Sequence, residues 1–191
     1  VDNFDAGQTT KFSIVGLPDS AVKESQERVQ SALRVNGYKA PFKSVVINLS
    51  PADVRKEGSG FDLPMAIGML MSYEFLEIDR PERFMFVGEL GLDGSVLPVK
   101  GILPISIKAR ELGYEALFVP AENAREAAVV NKLKIYSVSH LKDIVAFFSG
   151  VQTIEPTVVN TREEFYSQLF DFEYDFDEVK GQENVKRAFE V

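Results

Sequence analysis

Short apolar runs alternate with amphipathic stretches along this chain, which predicts strands that alternate with helices. Runs of β-branched and aromatic residues predict strands at residues 10–16, 44–49, 84–90, 95–99, 116–120 and 134–138. Helices are predicted between them: from Asp19 to about Asn36, from Asp62 onward, through Leu112, after Pro120 and up to about Gly150. Strand–helix–strand order favours crossover connections, so we expect an α/β (α+β) fold whose mixed sheet is at least partly parallel.

The stretch NLSPADVRKEGSGFDLPMAIGML, residues 48–70, is the most distinctive part of the pattern. It leaves a predicted strand, passes through a polar turn and enters an apolar helix. Asp62 is predicted to be the N-cap of that helix, because its carboxylate can accept from the amides of the first turn. Gly58 and Gly60 allow the turn to bend or to approach another group closely. The helix behind them is apolar on nearly every side and is therefore expected in the core.

Three basic residues lie next to glycine-bearing turns: Arg55, Lys56 and Lys100. If the turns meet in space, these side chains would form a small anion site at a helix N-terminus. We therefore predict that they contact DNA phosphates or a partner. The alternative is that they are ordinary loop charges.

Composition narrows the function classes. The chain has 191 residues, 45% of them apolar and 26% charged, and it has no cysteine, which excludes a disulfide, a thiolate zinc site and a cysteine nucleophile. It contains no apolar run long enough to span a membrane, so we expect no membrane partner and a cytoplasmic location.

Charge is unevenly distributed. The net charge is −8, and residues 162–178 carry seven acidic residues and one basic residue. This balance does not resemble an autonomous, strongly basic nucleic-acid binder, although a local basic patch is compatible with it.

Several catalytic motifs are missing. No glycine is followed directly by a lysine, so the chain lacks a phosphate-binding loop and is not expected to hydrolyse ATP. His140 is the only histidine and is expected to be a helix cap or a surface group. No segment has calcium-ligand spacing, so no metal ligand and no catalytic residue is assigned.

The pattern divides the chain into three parts. Residues 1–150 form the predicted main domain, residues 151–178 an extended linker followed by an acidic, aromatic segment, and residues 179–191 the start of a further module. The aromatic residues of the acidic segment are too numerous to remain in solvent, so they are expected to pack on the domain or on a partner.

Three blocks in order carry a resemblance: GLPDSAVKESQERVQSAL, the stretch at residues 48–70, and FVGELGLDGSVLPVKGILP. Together they resemble the N-terminal domain of the magnesium-chelatase-like AAA+ family of the ComM and YifB type. FDEVKGQENVKRAFEV is similar to the start of that family's ATPase module, where Val179 and Gly181 would border the adenine. The resemblance implies ATP and magnesium in the intact protein, and a hexamer that drives branch migration of DNA in recombination.

The same blocks are more distantly similar to the proteolytic domain of Lon, which implies the ribosomal protein S5 domain 2-like fold. In that alignment Met65 stands at the serine nucleophile and Leu103 at the lysine base. Both side chains are apolar and cannot transfer a proton.

The resemblance therefore implies a non-catalytic domain that acts as a scaffold or guides DNA or another substrate, next to its own downstream AAA+ module. The alternatives are a protein-interaction module that regulates the ATPase and, less favoured, a serine–lysine peptidase.

Overall fold

The computed structural model describes residues 1–5, 12–39 and 43–160, together with residue 187. The chain divides into two compact units, Val1–Val158 and Val159–Val191, and everything below concerns the first. Its strands are β1 (Asp2–Asp5), β2 (Phe12–Val15), β3 (Lys43–Asn48), β4 (Phe84–Phe86), β5 (Glu89–Leu90), β6 (Val96–Leu97), β7 (Ala116–Pro120) and β8 (Lys134–Val138). Its α-helices are α1 (Ser20–Val35), α2 (Asp62–Ser72), α3 (Ile102–Glu111), α4 (Ala124–Ala128) and α5 (Leu141–Phe148).

In the described part of the chain, the β-structure consists of two three-stranded sheets and a small hairpin. In the first sheet β3 is central, antiparallel to β1 and parallel to β2. In the second sheet β7 is central and parallel to both β4 and β8. Helix α1 connects β2 to β3, and α4 connects β7 to β8, so the crossover connections expected from the sequence are present. The mixed α/β fold is confirmed.

The hairpin of β5 and β6 closes through the turn at residues 91–94, as the Asp-Gly pair predicts. Gly94 adopts a φ of 95°, a conformation that favours glycine. The Asn36 side chain at the end of α1 donates to the carbonyl of Asp93 at 2.7 Å, and the Leu141 amide donates to the carbonyl of Gly94 at 2.8 Å. The turn is thus attached to both α1 and α5.

The main core surrounds α2. Leu63, Met65, Ala66, Ile67, Met69 and Leu70 are all buried, which confirms the core helix expected from its all-round apolar character. The Phe118 side chain on β7 is fully buried in the same cluster and has five aromatic neighbours within about 6 Å among the described residues. A smaller core lies beneath α3 and α4. No helix in the described part of the chain is both long and apolar enough to cross a bilayer.

Several predicted elements and caps agree with the structure, whereas one predicted strand is interrupted and one observed strand has no counterpart in the prediction. Strands β7 and β8 begin and end at the predicted residues, and Asp19 caps α1. His140 caps α5 with its ring, as expected of a lone histidine at a helix start. The single strand predicted at residues 84–90 is wrong, since it is interrupted at Gly88, whose amide and carbonyl pair instead with Gly60 and Leu63. Strand β1 was not predicted.

Residues 152–158 contain no helix or strand, yet they are attached to the first unit. The Thr157 amide donates to the carbonyl of Ile135 at 2.7 Å, and Ile154 packs on the main core. The acidic, aromatic segment and the start of the further module lie outside the described residues, apart from residue 187.

Candidate functional site

The glycine loop, residues 49–61, is fixed to the start of α1. The Lys56 amide donates to the carbonyl of Leu17 at 3.1 Å, and the Asp19 amide donates to the carbonyl of Lys56 at 3.0 Å. One Asp19 carboxylate oxygen accepts from the Val22 amide at 2.8 Å as the helix cap, and the other accepts from the Gly58 amide at 3.4 Å. A single carboxylate therefore caps α1 and holds the loop.

The Lys56 side chain differs from the prediction, because it is buried. Only 6% of the residue is exposed, and its ammonium donates to the carbonyls of Pro51 and Val54, the latter at 2.7 Å. The loop folds back on this charge and satisfies it, as a buried ammonium requires. Lys56 is therefore corrected from a phosphate contact to a residue that stabilises the loop.

Asp62 is not the N-cap of α2. It is the first helical residue, and it follows Phe61 at the cap position, which makes no side-chain cap bond. Its fully buried carboxylate accepts from Arg28 Nε at 2.6 Å, from Arg28 Nη2 at 3.1 Å and from the Leu90 amide at 3.1 Å. Asp62 therefore joins α1, α2 and β5, and its hydrogen bond raises the pKa of the Arg28 guanidinium.

The N-terminus of α2 has no free amide for an anion. The Asp62 amide donates to the carbonyl of Ser59 at 3.2 Å, the Leu63 amide to that of Gly88 at 3.0 Å and the Met65 amide to that of Phe61 at 3.1 Å. The remaining first-turn residue, Pro64, has no N–H. The predicted anion site at this helix end is wrong, because protein carbonyls already occupy the donors that it needs.

The glycine loop forms one wall of a cleft of about 700 Å³. The cleft is lined by residues 57–61, 64, 85–87, 89, 98–100 and 105, most of them apolar. Its polar side chains are Glu57, Ser59, Glu89 and Lys100. The Ser59 hydroxyl donates to the Glu89 carboxylate, so two of these four side chains form a pair on the cleft wall.

The structure brings only one of the three predicted basic residues into this cleft. Lys100 lines it next to the loop, whereas Arg55 lies outside the lining, with its Nε 3.4 Å from the Glu57 carboxylate. Both side chains of that pair are about 70% exposed, so the pair contributes little to stability. A DNA contact by Arg55 or Lys100 stays a prediction.

The two glycines of the loop act differently. Gly58 adopts a φ of 85°, the left-handed conformation expected where the loop bends. An added Cβ at Gly60 would be 3.6 Å from Val87 and Val99, an ordinary contact, so close approach does not require glycine there.

Hydrocarbon and thioether groups occupy the two positions that correspond to the Lon nucleophile and base. Met65 is 3% exposed in the core behind the cleft, and Leu103 is half-buried on the first turn of α3. Neither group can donate or accept a proton at neutral pH.

Sequence reasoning missed Arg28 and Glu89. Glu24 lies four residues before Arg28 on α1 and would be its partner by spacing alone, but the closest distance between their charged groups is 4.0 Å, whereas Arg28 Nε lies 2.6 Å from the Asp62 carboxylate. The available signal was Asp62 itself, since a carboxylate entering an apolar helix requires a buried donor.

Within the residues that the structure describes, no group of three or more histidines and carboxylates is placed to hold a metal ion. Val179 and Gly181, the residues that resemblance places beside adenine, lie outside the described residues.

Comparison with known proteins identifies the family. The family model described as Subunit ChlI of Mg-chelatase matches residues 3–123. Competence protein ComM of Haemophilus influenzae is 36% identical over 180 residues, which cover 94% of this chain and 35% of that protein. Uncharacterized protein YifB of Escherichia coli is 35% identical over 183 residues, 94% of this chain and 34% of that protein.

A more distant similarity extends to proteases. Lon protease 2 of Bacillus subtilis is 26% identical over 127 residues, 66% of this chain and 22% of that protein, in agreement with the Lon-like fold expected from the sequence. The chain spans about a third of the length of the ComM and YifB relatives. On the family match and these identities, the chain belongs to the magnesium-chelatase-like AAA+ family of ComM and YifB.

Proposed function

We propose that this chain is a non-catalytic domain of a AAA+ ATPase that acts as a scaffold or guides DNA or another substrate in a hexameric motor for DNA recombination and branch migration. One observation carries the proposal: Met65 and Leu103 replace the proton-transferring pair of the Lon-like site, and Met65 is buried in the core. The ATPase, with its ATP and magnesium, would belong to the part of the protein that this chain does not cover, and the whole would work in the cytoplasm.

The remaining polar groups of the cleft do not replace the missing pair. A serine–lysine peptidase needs a lysine beside the serine hydroxyl, held in surroundings that favour its neutral form. Here the Ser59 hydroxyl donates to Glu89, and Lys100 is exposed to solvent. The Ser59 hydroxyl is therefore bound to a carboxylate and not to a lysine.

Peptide hydrolysis tests the proposal. The chain is incubated with fluorescent casein and with short fluorogenic peptides, alongside Ser59→Ala and Lys100→Ala variants. We expect no hydrolysis above the buffer rate from any of the three proteins. Hydrolysis by the native chain that either substitution abolishes would refute a non-catalytic domain.

A second candidate, a protein-interaction module that regulates the ATPase, is favoured by the apolar walls of the cleft. Ile105 on α3 lines the cleft, whereas Ile107 on the same helix is 38% exposed and lies outside the lining. If a partner segment binds in the cleft, Ile105→Glu should abolish co-purification with the AAA+ module supplied separately, and Ile107→Glu should not. Equal co-purification by both variants would exclude the cleft as the interface.

A further inference from the structure

A second groove, on a different part of the first unit, is basic rather than apolar. It is lined by residues 110, 113–115, 132–134 and 156–158 and has a volume of about 870 Å³. The groove follows from the topology, because β4, β7 and β8 are parallel and all begin at this edge of the sheet. Arg110 reaches it from the last turn of α3, and Lys134 is the first residue of β8. We call it the basic groove.

Three cations of the basic groove form no ion pair with any residue that the structure describes. Arg110, Lys132 and Lys134 are all exposed, and within the described residues no carboxylate lies within ion-pair distance of any of them. The one acidic side chain in the lining, Glu115, is paired with Arg83. Among the described residues, no carboxylate is therefore paired with the positive charges of this groove, on a chain whose net charge is −8.

Lys132 is held in an unusual backbone conformation. Its φ is 66°, in the left-handed region that favours glycine or asparagine and is unfavourable for other residues. Stability alone would favour a different residue at this turn. A lysine in this conformation is consistent with a role for its charge, since backbone strain is often found at functional positions.

We propose that the basic groove binds the phosphodiester backbone of a nucleic acid. The groove is open, its lining side chain Leu133 is buried, and its three accessible charges come from two separate segments, the last turn of α3 and residues 132–134, which suits contact with successive phosphates of one strand. The inference deepens the DNA-guiding form of the proposed function and rests on it. The basic groove suits a phosphate backbone better than the cleft does, because the cleft is lined by two carboxylates and one ammonium and the groove by three cations and one carboxylate.

The strength of this contact can be estimated from counterion release. Each neutralised phosphate contributes about 0.7 to the slope of log affinity against log salt for a single strand and about 0.9 for a duplex. Three cations then predict a contribution of about 2 for a single strand and nearly 3 for a duplex.

The test is fluorescence anisotropy of the whole chain with labelled DNA, single-stranded and duplex, between about 50 and 200 mM salt. We expect R110A/K132A/K134A to lose at least about tenfold in affinity at the lowest salt and about 2 in the salt slope on single strands. The single substitution K132N removes one charge, and asparagine adopts the positive φ of this turn more readily than lysine does. It should therefore lower the slope by about 0.7 without lowering the melting temperature.

The matched control is K23A/R34A/K142A, which removes three exposed cations from α1 and α5 that do not line the groove. This control should retain native affinity and slope.

Equal loss in the control, no binding by the native chain, or an unchanged slope in the groove variant would each overturn the proposal. Polyglutamate that binds the groove as tightly as DNA would overturn the choice of nucleic acid. Peptide hydrolysis by the native chain would refute the non-catalytic domain without altering these anisotropy results, so the two failures are distinguishable.

Discussion

The substitution Asp62→Ala provides the sharpest test of how this domain is held together. Asp62 is fully buried and accepts two hydrogen bonds from Arg28 and one from the Leu90 amide. Alanine would leave that amide without an acceptor and remove the counter-charge from a guanidinium whose side chain is 20% exposed.

The expected loss is about 3 kcal/mol in the free energy of unfolding. Breaking a buried ion pair by removing one partner costs about 3–5 kcal/mol. The lower end applies here, because Arg28 can turn toward solvent and toward Glu24, which is already 4.0 Å away. An unsatisfied buried amide alone accounts for about 1–3 kcal/mol of the loss.

Urea unfolding followed by circular dichroism measures this loss, provided that the slope with urea is unchanged. A cycle of Asp62→Ala, Arg28→Ala and the double variant isolates the pair. We expect the double variant to lose about 1–3 kcal/mol less than the sum of the single losses, because the groups act together. An Asp62→Ala loss below about 1 kcal/mol, or fully additive losses, would refute the view that this pair joins α1, α2 and β5.

Two further predictions concern the turn at residues 91–94 and the helix that it contacts. Hydrogen bonds from the Ser95 amide and hydroxyl lower the pKa of Asp93, so the stability that its charge contributes is present above about pH 4 and is lost as pH falls through the lowered pKa. The difference in melting temperature between the native chain and Asp93→Asn should therefore shrink below about pH 4, and a constant difference from pH 7 downward would contradict it. His140→Ala removes the ring acceptor that caps α5 and should cost about 1 kcal/mol in urea unfolding at pH 7, whereas His140→Asn, which restores a cap, should recover most of that loss.

The sequence predicts those elements whose signals are local. Strand β7, ALFVP, is a continuous apolar run, and strand β8, KIYSV, is rich in β-branched and aromatic residues; both match the predicted bounds. Asp19 and His140 cap their helices because a cap depends on residues only two or three positions away. The sequence of β1, DNFD, is half acidic, and its pairing with β3 is a long-range contact that no local pattern indicates.

The same distinction explains the errors at the candidate site. Asp62 has the local signature of an N-cap, but its partner Arg28 lies 34 residues earlier in the chain. Lys56 appears as a loop charge, and only the folded loop places the carbonyls of Pro51 and Val54 around its ammonium. The basic groove is also invisible along the chain, because Arg110 and Lys134 become neighbours only when α3 and β8 assemble on the sheet.

The hydrogen bonds that fix the glycine loop also affect the binding of any ligand in the cleft that the loop lines. Hydrogen bonds to the Asp19 carboxylate and from the buried Lys56 ammonium fix this wall of the cleft. The shape of this wall is therefore set before a ligand binds. Association then reduces mainly the conformational freedom of the ligand rather than that of the protein. Such a cleft should select ligands by their shape. The backbone of residues 56–61 should therefore be nearly superimposable with and without a bound ligand.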